Sequence, residues 1–306
     1  MTVPGAPLPL PPPAHEAPPP PARPGAGGTR VLAGVPYAAI PGVRPLELDL
    51  VLPPEGGGPA PVVVFLHGGG WRTGSRHSPG PAYAGADPTP FERVAQAGIA
   101  VASADYRLSG EAVWPAQAHD VKAAVRWLRA RAPELGLDPE RIAAWGESAG
   151  GHLAAVLGLT PDDPALEGAV GVTGPSSAVR AVAAWYAPCD LRTVAAETGA
   201  GPMDPGSREA GLLGTPVPAA PEAAAQASPI THVSPAAPPF LLLHGRDDRA
   251  IACAQSERLR DALRDAGADV RLHVYDGADH MWHGAPDAAY DALERTIAFL
   301  RERLGA

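Results

Sequence analysis

Ala143-Ala144-Trp145-Gly146-Glu147-Ser148-Ala149-Gly150-Gly151-His152 leads from an apolar segment through Gly-x-Ser-x-Gly into a stretch rich in Ala and Leu. The order reads as strand, cramped turn, helix, with a serine at the turn. A serine hydroxyl is a weak nucleophile until it is lifted clear of the backbone toward a base, and a sharp strand-to-helix turn does this by sterics. Gly146 and Gly150 are expected on either side of Ser148 because a side chain at either place would strike the opposite arm of the turn. The flanks agree: Arg141 to Trp145 is a short apolar run, and Ala149 to Leu159 suits a helix lying on a sheet.

Working outward, Val62-Val63-Val64-Phe65-Leu66 is a continuous β-branched and aromatic run, the pattern of a strand covered on both faces. Pro45 to Leu52 alternates as a half-exposed strand does, and Ile99 to Ala104, Val179 to Tyr186, Phe240 to His244 and Val270 to Tyr275 read as further strands. Ala116 to Ala132 has helical period, and Ala289 to Leu304 reads as a closing helix. Strands alternating with helices predict an α/β fold, a mostly parallel central sheet with helices on both faces. In such sheets sites form at the carboxyl ends of strands. His67-Gly68-Gly69-Gly70-Trp71, Ser148, Asp248 and His280 each follow a predicted strand closely, so all are expected along one sheet edge.

The chain has 306 residues and a formal net charge of -9, which argues against nucleic acid or an anionic membrane as partner. One domain over 29–306 is expected, preceded by a disordered, Pro-rich arm over 1–28 that contains Pro11-Pro12-Pro13 and Pro18-Pro19-Pro20-Pro21. Those prolines interrupt every apolar stretch a secretory signal would need, and no segment is apolar enough to span a bilayer, so a cytoplasmic location is the default expectation. Cys189 and Cys253 are too few for a disulfide framework and have no metal-ligand spacing.

Serine-based acyl chemistry needs a base, a carboxylate to orient it, and donors for the oxyanion. The chain supplies Ser148, then Asp248, then His280, with the N–H groups of Ala149, Gly69 and Gly70 as oxyanion donors. With these motifs in view the chain resembles the α/β-hydrolase superfamily, in particular its small HGGG-type esterases and lipases, hormone-sensitive-lipase-like and feruloyl- or acetyl-esterase-like. The resemblance runs from about Val35 to the end. It rests on His67 to Trp71, Asp105-Tyr106-Arg107-Leu108, Pro115-Ala116 with Asp120, Gly146 to His152, Ala227-Ser228-Pro229-Ile230, His244 to Asp248, and Gly277 to His280. It implies a carboxylic-ester hydrolase working through an acyl-enzyme on a small-molecule ester, with neither metal nor organic cofactor.

The resemblance also places the acid four residues after His244, hence Asp248 and not Asp247, and favours His280 over His283 as base. Asp190 is a second possible acid, read more simply as a turn cap. His67 and His152 are expected to hold loops by hydrogen bonds. Trp71 either lines a substrate pocket or merely packs. Asp105 and Arg107 are expected to pair with each other and brace the oxyanion loop. Residues 190–238 are enough for a small lid only, which predicts an open site for short or compact acyl and aromatic esters. Amide or peptide hydrolysis is the alternative within enzymes, and a non-catalytic small-molecule-binding relative or an SH3-binding arm are the alternatives outside them.

Overall fold

A computed structural model describes residues 13–161, 163–199 and 201–306, and within them one sheet of nine strands. The strands are β1 (Arg23–Pro24), β2 (Arg30–Ala38), β3 (Leu46–Leu52), β4 (Ala60–Leu66), β5 (Ala100–Ala104), β6 (Leu137–Glu147), β7 (Val182–Trp185), β8 (Phe240–Gly245) and β9 (Val270–Tyr275). Their spatial order is β1-β2-β3-β5-β4-β6-β7-β8-β9. The pairings from β1 to β5 through β3 are antiparallel, and those from β5 to β9 are parallel. The expected parallel sheet is therefore present, extended at one edge by an antiparallel ribbon.

Among the described residues the helices are α1 (Pro90–Gln96), α2 (Ala116–Leu135), α3 (Ala149–Leu159), α4 (Pro164–Glu167) and α5 (Val194–Glu197). They continue as α6 (Arg208–Leu213), α7 (Pro221–Gln226), α8 (Ala254–Asp265) and α9 (Pro286–Leu304). Strand β4 shows why two layers of helix are needed. Val62, Val64 and Leu66 point to the core shared with α2, α3 and α8, while Val63 and Phe65 point to the core shared with α1 and α9. All five are fully buried, so a strand with no polar face demands cover on both sides. None of these helices is long and apolar enough to cross a membrane.

The expectation of a disordered arm falls, for residues 1–12, outside the described residues. From Pro13 onward the chain is instead laid against the domain. Proline-rich backbone leaves carbonyls without partners, and these accept from α2: Trp127 Nε1 donates to His15 O at 2.8 Å and Arg131 to His15 O and Ala17 O at 3.0 Å. Farther on, Glu92 of α1 accepts from Ala26 N at 2.8 Å, and Arg23 and Pro24 pair with β2.

Lys122 lies in the first half of α2 and is fully buried. Its ammonium donates to Glu167 Oε2 at 3.0 Å, to Thr160 O, and to Ser177 Oγ at 3.4 Å, while Arg126 one turn later holds Glu167 Oε1 at 2.5 Å. Burial lowers the Lys122 pKa, and the hydrogen bond and charge of Glu167 oppose that shift. This cluster ties the α4 segment to α2.

Candidate active site

Ser148 stands between β6 and α3 with φ 51° and ψ −119°, a conformation that a non-glycine residue holds only when its surroundings impose it. Packing around the two flanking glycines imposes it. A Cβ on Gly146 would lie 2.3 Å from Gly150 O, across the turn as expected. A Cβ on Gly150, however, would lie 2.0 Å from Leu66 O and 2.5 Å from His67 O, so this glycine clears the end of β4 and not the opposite arm. The elbow is pressed directly onto the strand that carries the Gly68-Gly69-Gly70 loop.

The three side chains far apart in the chain meet here. Ser148 Oγ is 3.0 Å from His280 Nε2, and His280 Nδ1 is 2.7 Å from Asp248 Oδ2. A carboxylate only accepts, so Nδ1 carries the proton and Nε2 is left to accept from the serine hydroxyl. Ser148 and His280 keep 7% and 9% of their surface exposed, and the Asp248 carboxylate is wholly covered. Asp248 Oδ1 accepts from Ala250 N and Ile251 N at 2.9 and 2.8 Å. Burial raises the Asp248 pKa, but hydrogen bonds from His244 and His280 outweigh it and hold the group well below the usual carboxylate range.

The rival residues lie elsewhere. Asp247 and His283 are exposed. Asp190 caps its own turn, accepting from Arg192 N at 3.1 Å and pairing with the Arg192 guanidinium. Asp279 takes Arg249 and caps the backbone of His280.

In the loop after β4 and at the first residue of α3, the N–H groups of Gly69, Gly70 and Ala149 find no protein acceptor among the described residues. Gly69 has φ 107°, and a Cβ there would sit 2.2 Å from Thr73 O, so the loop takes this path only with glycine. The loop is held from behind. His67 stacks on Tyr106 at 4.3 Å and donates through Nδ1 to Gly68 O at 2.7 Å, while Tyr106 OH donates to His67 O at 2.9 Å. His152 bonds through Nε2 to Ala227 O at 2.6 Å, and burial pulls its pKa down to about 4, so it is neutral. Trp71 is 1% exposed and meets His152 edge-on at 5.1 Å.

Asp105 and Arg107 do not pair with each other. Two residues apart at the end of β5 they part company: Arg107 grips Asp120 with Nε and Nη2 at 2.8 and 2.7 Å, and Asp105 takes Arg76 at 2.6 Å. Arg76 also reaches Glu47 and Asp49, so the bracing cation of the loop is Arg76, a residue in no recognisable motif. Sequence reasoning also passed over Glu147. Its buried carboxyl accepts from Tyr186 OH at 2.6 Å and Gly68 N at 3.4 Å, and burial raises its pKa. Tyr186 in turn lies edge-on against His280 at 4.8 Å. Cys189 and Cys253 are both free and buried. The described residues contain no cluster able to hold a metal ion.

The BD-FAE family model matches residues 48–263. The esterase LipQ of Mycobacterium tuberculosis is 36% identical over 237 residues, 76% of this chain and 53% of that protein. The probable carboxylic ester hydrolase LipM of the same organism is 34% identical over 218 residues, 71% of this chain and 47% of that protein. The chain thus spans about half the length of these curated relatives. Among solved structures, a truncated carbohydrate esterase from gut microbiota superposes with a TM-score of 0.79 at 28% identity, covering 93% of this chain and 100% of that one. The propionate-bound esterase Est2 of Thermogutta terrifontis gives 0.70 at 30% identity, covering 90% and 94%. On its sequence and its sheet, this chain belongs to the BD-FAE family and has the α/β-hydrolase fold.

Proposed function

We propose that the protein is a serine carboxylesterase that hydrolyses small-molecule esters through an acyl-enzyme. The observation that carries this reading is the unbroken line Ser148 Oγ–His280–Asp248 beside three backbone N–H groups that have no acceptor. His280 Nε2 takes the hydroxyl proton as Ser148 Oγ bonds to the ester carbonyl carbon. The resulting oxyanion is held by Gly69, Gly70 and Ala149, each such donor contributing about 10²- to 10³-fold in rate. The tetrahedral species expels the alcohol, which leaves with the proton from His280. Water then repeats the sequence on the acyl-serine and releases the acid. Asp248 holds the imidazole in its tautomer and stabilises it when charged. Trp71 serves the site from beneath, packing the oxyanion loop onto the turn of α3 that carries His152.

The esterase names among the relatives and structural neighbours support the ester over the amide reading. The segment over 190–238 forms only short helices, the longest of six residues among those described, which favours short or compact acyl groups over long chains. Fluorophosphonate labelling and a series of p-nitrophenyl esters test both parts. Labelling and turnover are expected to vanish in Ser148→Ala, and two- to four-carbon acyl groups to turn over faster than ten-carbon ones. Undiminished labelling of Ser148→Ala refutes the mechanism, and faster turnover of the long chain refutes the size preference.

A further inference from the structure

Arg72, directly after Trp71, donates to Gly206 O at 2.8 Å and to Ser207 O, and so clamps the start of α6 onto the oxyanion loop. This puts Arg208 across the mouth of the site. Its stem lies on Gly70, where a Cβ would be 2.8 Å from Arg208 Cδ and 3.1 Å from Cγ. Its far end donates from Nη2 to Ala250 O at 3.0 Å, two residues past Asp248. One side chain therefore reaches from the oxyanion loop to the acid loop, and it is 36% exposed.

Its partners among the described residues do not use up the guanidinium. The bond to Ala250 O engages one of five N–H donors, and the nearest carboxylate, Glu209 on the same helix, is 4.0 Å from Nε, at the outer limit of pairing. Arg72 has carbonyl partners but no carboxylate. By contrast Arg107, Arg192, Arg249, Arg258 and Arg271 each pair with a carboxylate. On a chain of net charge -9, Arg72 and Arg208 are thus two guanidiniums bonded mainly to carbonyls, with Glu209 the one carboxylate within 4.0 Å of either among the described residues. A planar fork with free donors fits a carboxylate.

We propose that Arg208 is a specificity-determining residue that receives a carboxylate borne by the substrate, so that the protein favours anionic esters such as half-esters of dicarboxylic acids. This rests on the ester-hydrolase reading above. A purely structural clasp between α6 and the acid loop would be indifferent to substrate charge, whereas a carboxylate receptor is not.

The test compares kcat/KM for monomethyl glutarate with that for methyl pentanoate, which has the same length and ends in methyl. In Arg208→Gln the glutarate-to-pentanoate ratio is expected to fall about tenfold or more, the usual worth of one charge-assisted hydrogen bond. Arg208→Lys should give an intermediate ratio, and added salt should lower the wild-type ratio. Equal losses on both esters in Arg208→Gln and Arg208→Lys, or a salt-independent wild-type ratio, overturn the proposal. The salt series needs no variant, so a misfolded substitution does not shield the idea. Wild-type protein inert toward both methyl esters and p-nitrophenyl acetate would instead bring down the ester-hydrolase reading itself.

Discussion

Gly150→Ala isolates the contact between the elbow and the oxyanion loop. At the second residue of α3 alanine is otherwise the better helix former by about 1 kcal/mol, so any loss comes from the clash. The added methyl carbon would lie 2.0 Å from Leu66 O, 2.4 Å from Leu66 C and 2.5 Å from His67 O. All three are backbone atoms and cannot rotate away. Restoring even a tight contact of 3.0 Å opens the seam between α3 and β4 by about 1 Å, a displacement that costs about 100-fold in rate when it falls between reacting groups. The seam separates the Ala149 N–H from those of Gly69 and Gly70, while Ser148, His280 and Asp248 do not lie across it. We therefore expect kcat on p-nitrophenyl acetate to fall about 10²- to 10³-fold, with an overpacking cost of about 1–3 kcal/mol in stability. Gly151→Ala is the comparison: its Cβ would meet Ala187 Cβ at 2.9 Å and Trp185 O at 3.0 Å, so it should lose less. Gly150→Ala retaining kcat within about threefold of wild type, with an unchanged melting temperature, would refute the reasoning.

Asp248→Asn should fold and lose most turnover, because the amide can place a donor against His280 Nδ1 and favour the wrong tautomer, whereas Asp247→Asn, at an exposed carboxylate, should change kcat little. Equal losses in the two variants would move the acid role off Asp248. His152 supplies a pH dependence. Its pKa is about 4 in the folded protein against 6.5 ordinarily, so below pH 6.5 the unfolded chain binds a proton that the folded one refuses. Stability is then fully present above pH 6.5 and declines by about 3 kcal/mol as the pH falls to 4. His152→Asn, which keeps a donor for Ala227 O, should flatten that decline in thermal melts between pH 7.5 and 4.5. An unchanged slope would assign the acid sensitivity to other groups.

The parts of the fold that could be read directly are those where local pattern and tertiary environment agree. Val270 to Tyr275 coincides with β9, and Val62 to Leu66 lies within β4 because its unbroken apolar run leaves no other arrangement. Strand β2 escaped because Gly34, in the left-handed region at φ 66°, and Pro36 break the alternation, and the ladder to β3 shifts register at both places. Strand β6 runs from Leu137, well before Arg141, since its polar first residues carry no period of their own. The geometry around Ser148 was approachable because each participant sits in a short motif at a strand end. Arg76 sits in none: it meets Asp105 only because the loop after β4 folds back over β5. Glu147 was hidden in plain view, since a residue beside a candidate nucleophile carries no mark that its side chain will be buried against Tyr186.

The interior placement of Lys122 reaches beyond the packing of α2. It is the only lysine in the sequence and has no exposed surface, so succinimidyl dyes and amine cross-linkers meet no side-chain amine on the outside of the domain. Activated esters, which slowly acylate the surface lysines of most proteins, are denied that reaction here. Acylation of side-chain amines should therefore leave little background beside the transient acyl-serine, and attachment to a solid support can use carboxylates or an introduced thiol in place of lysines.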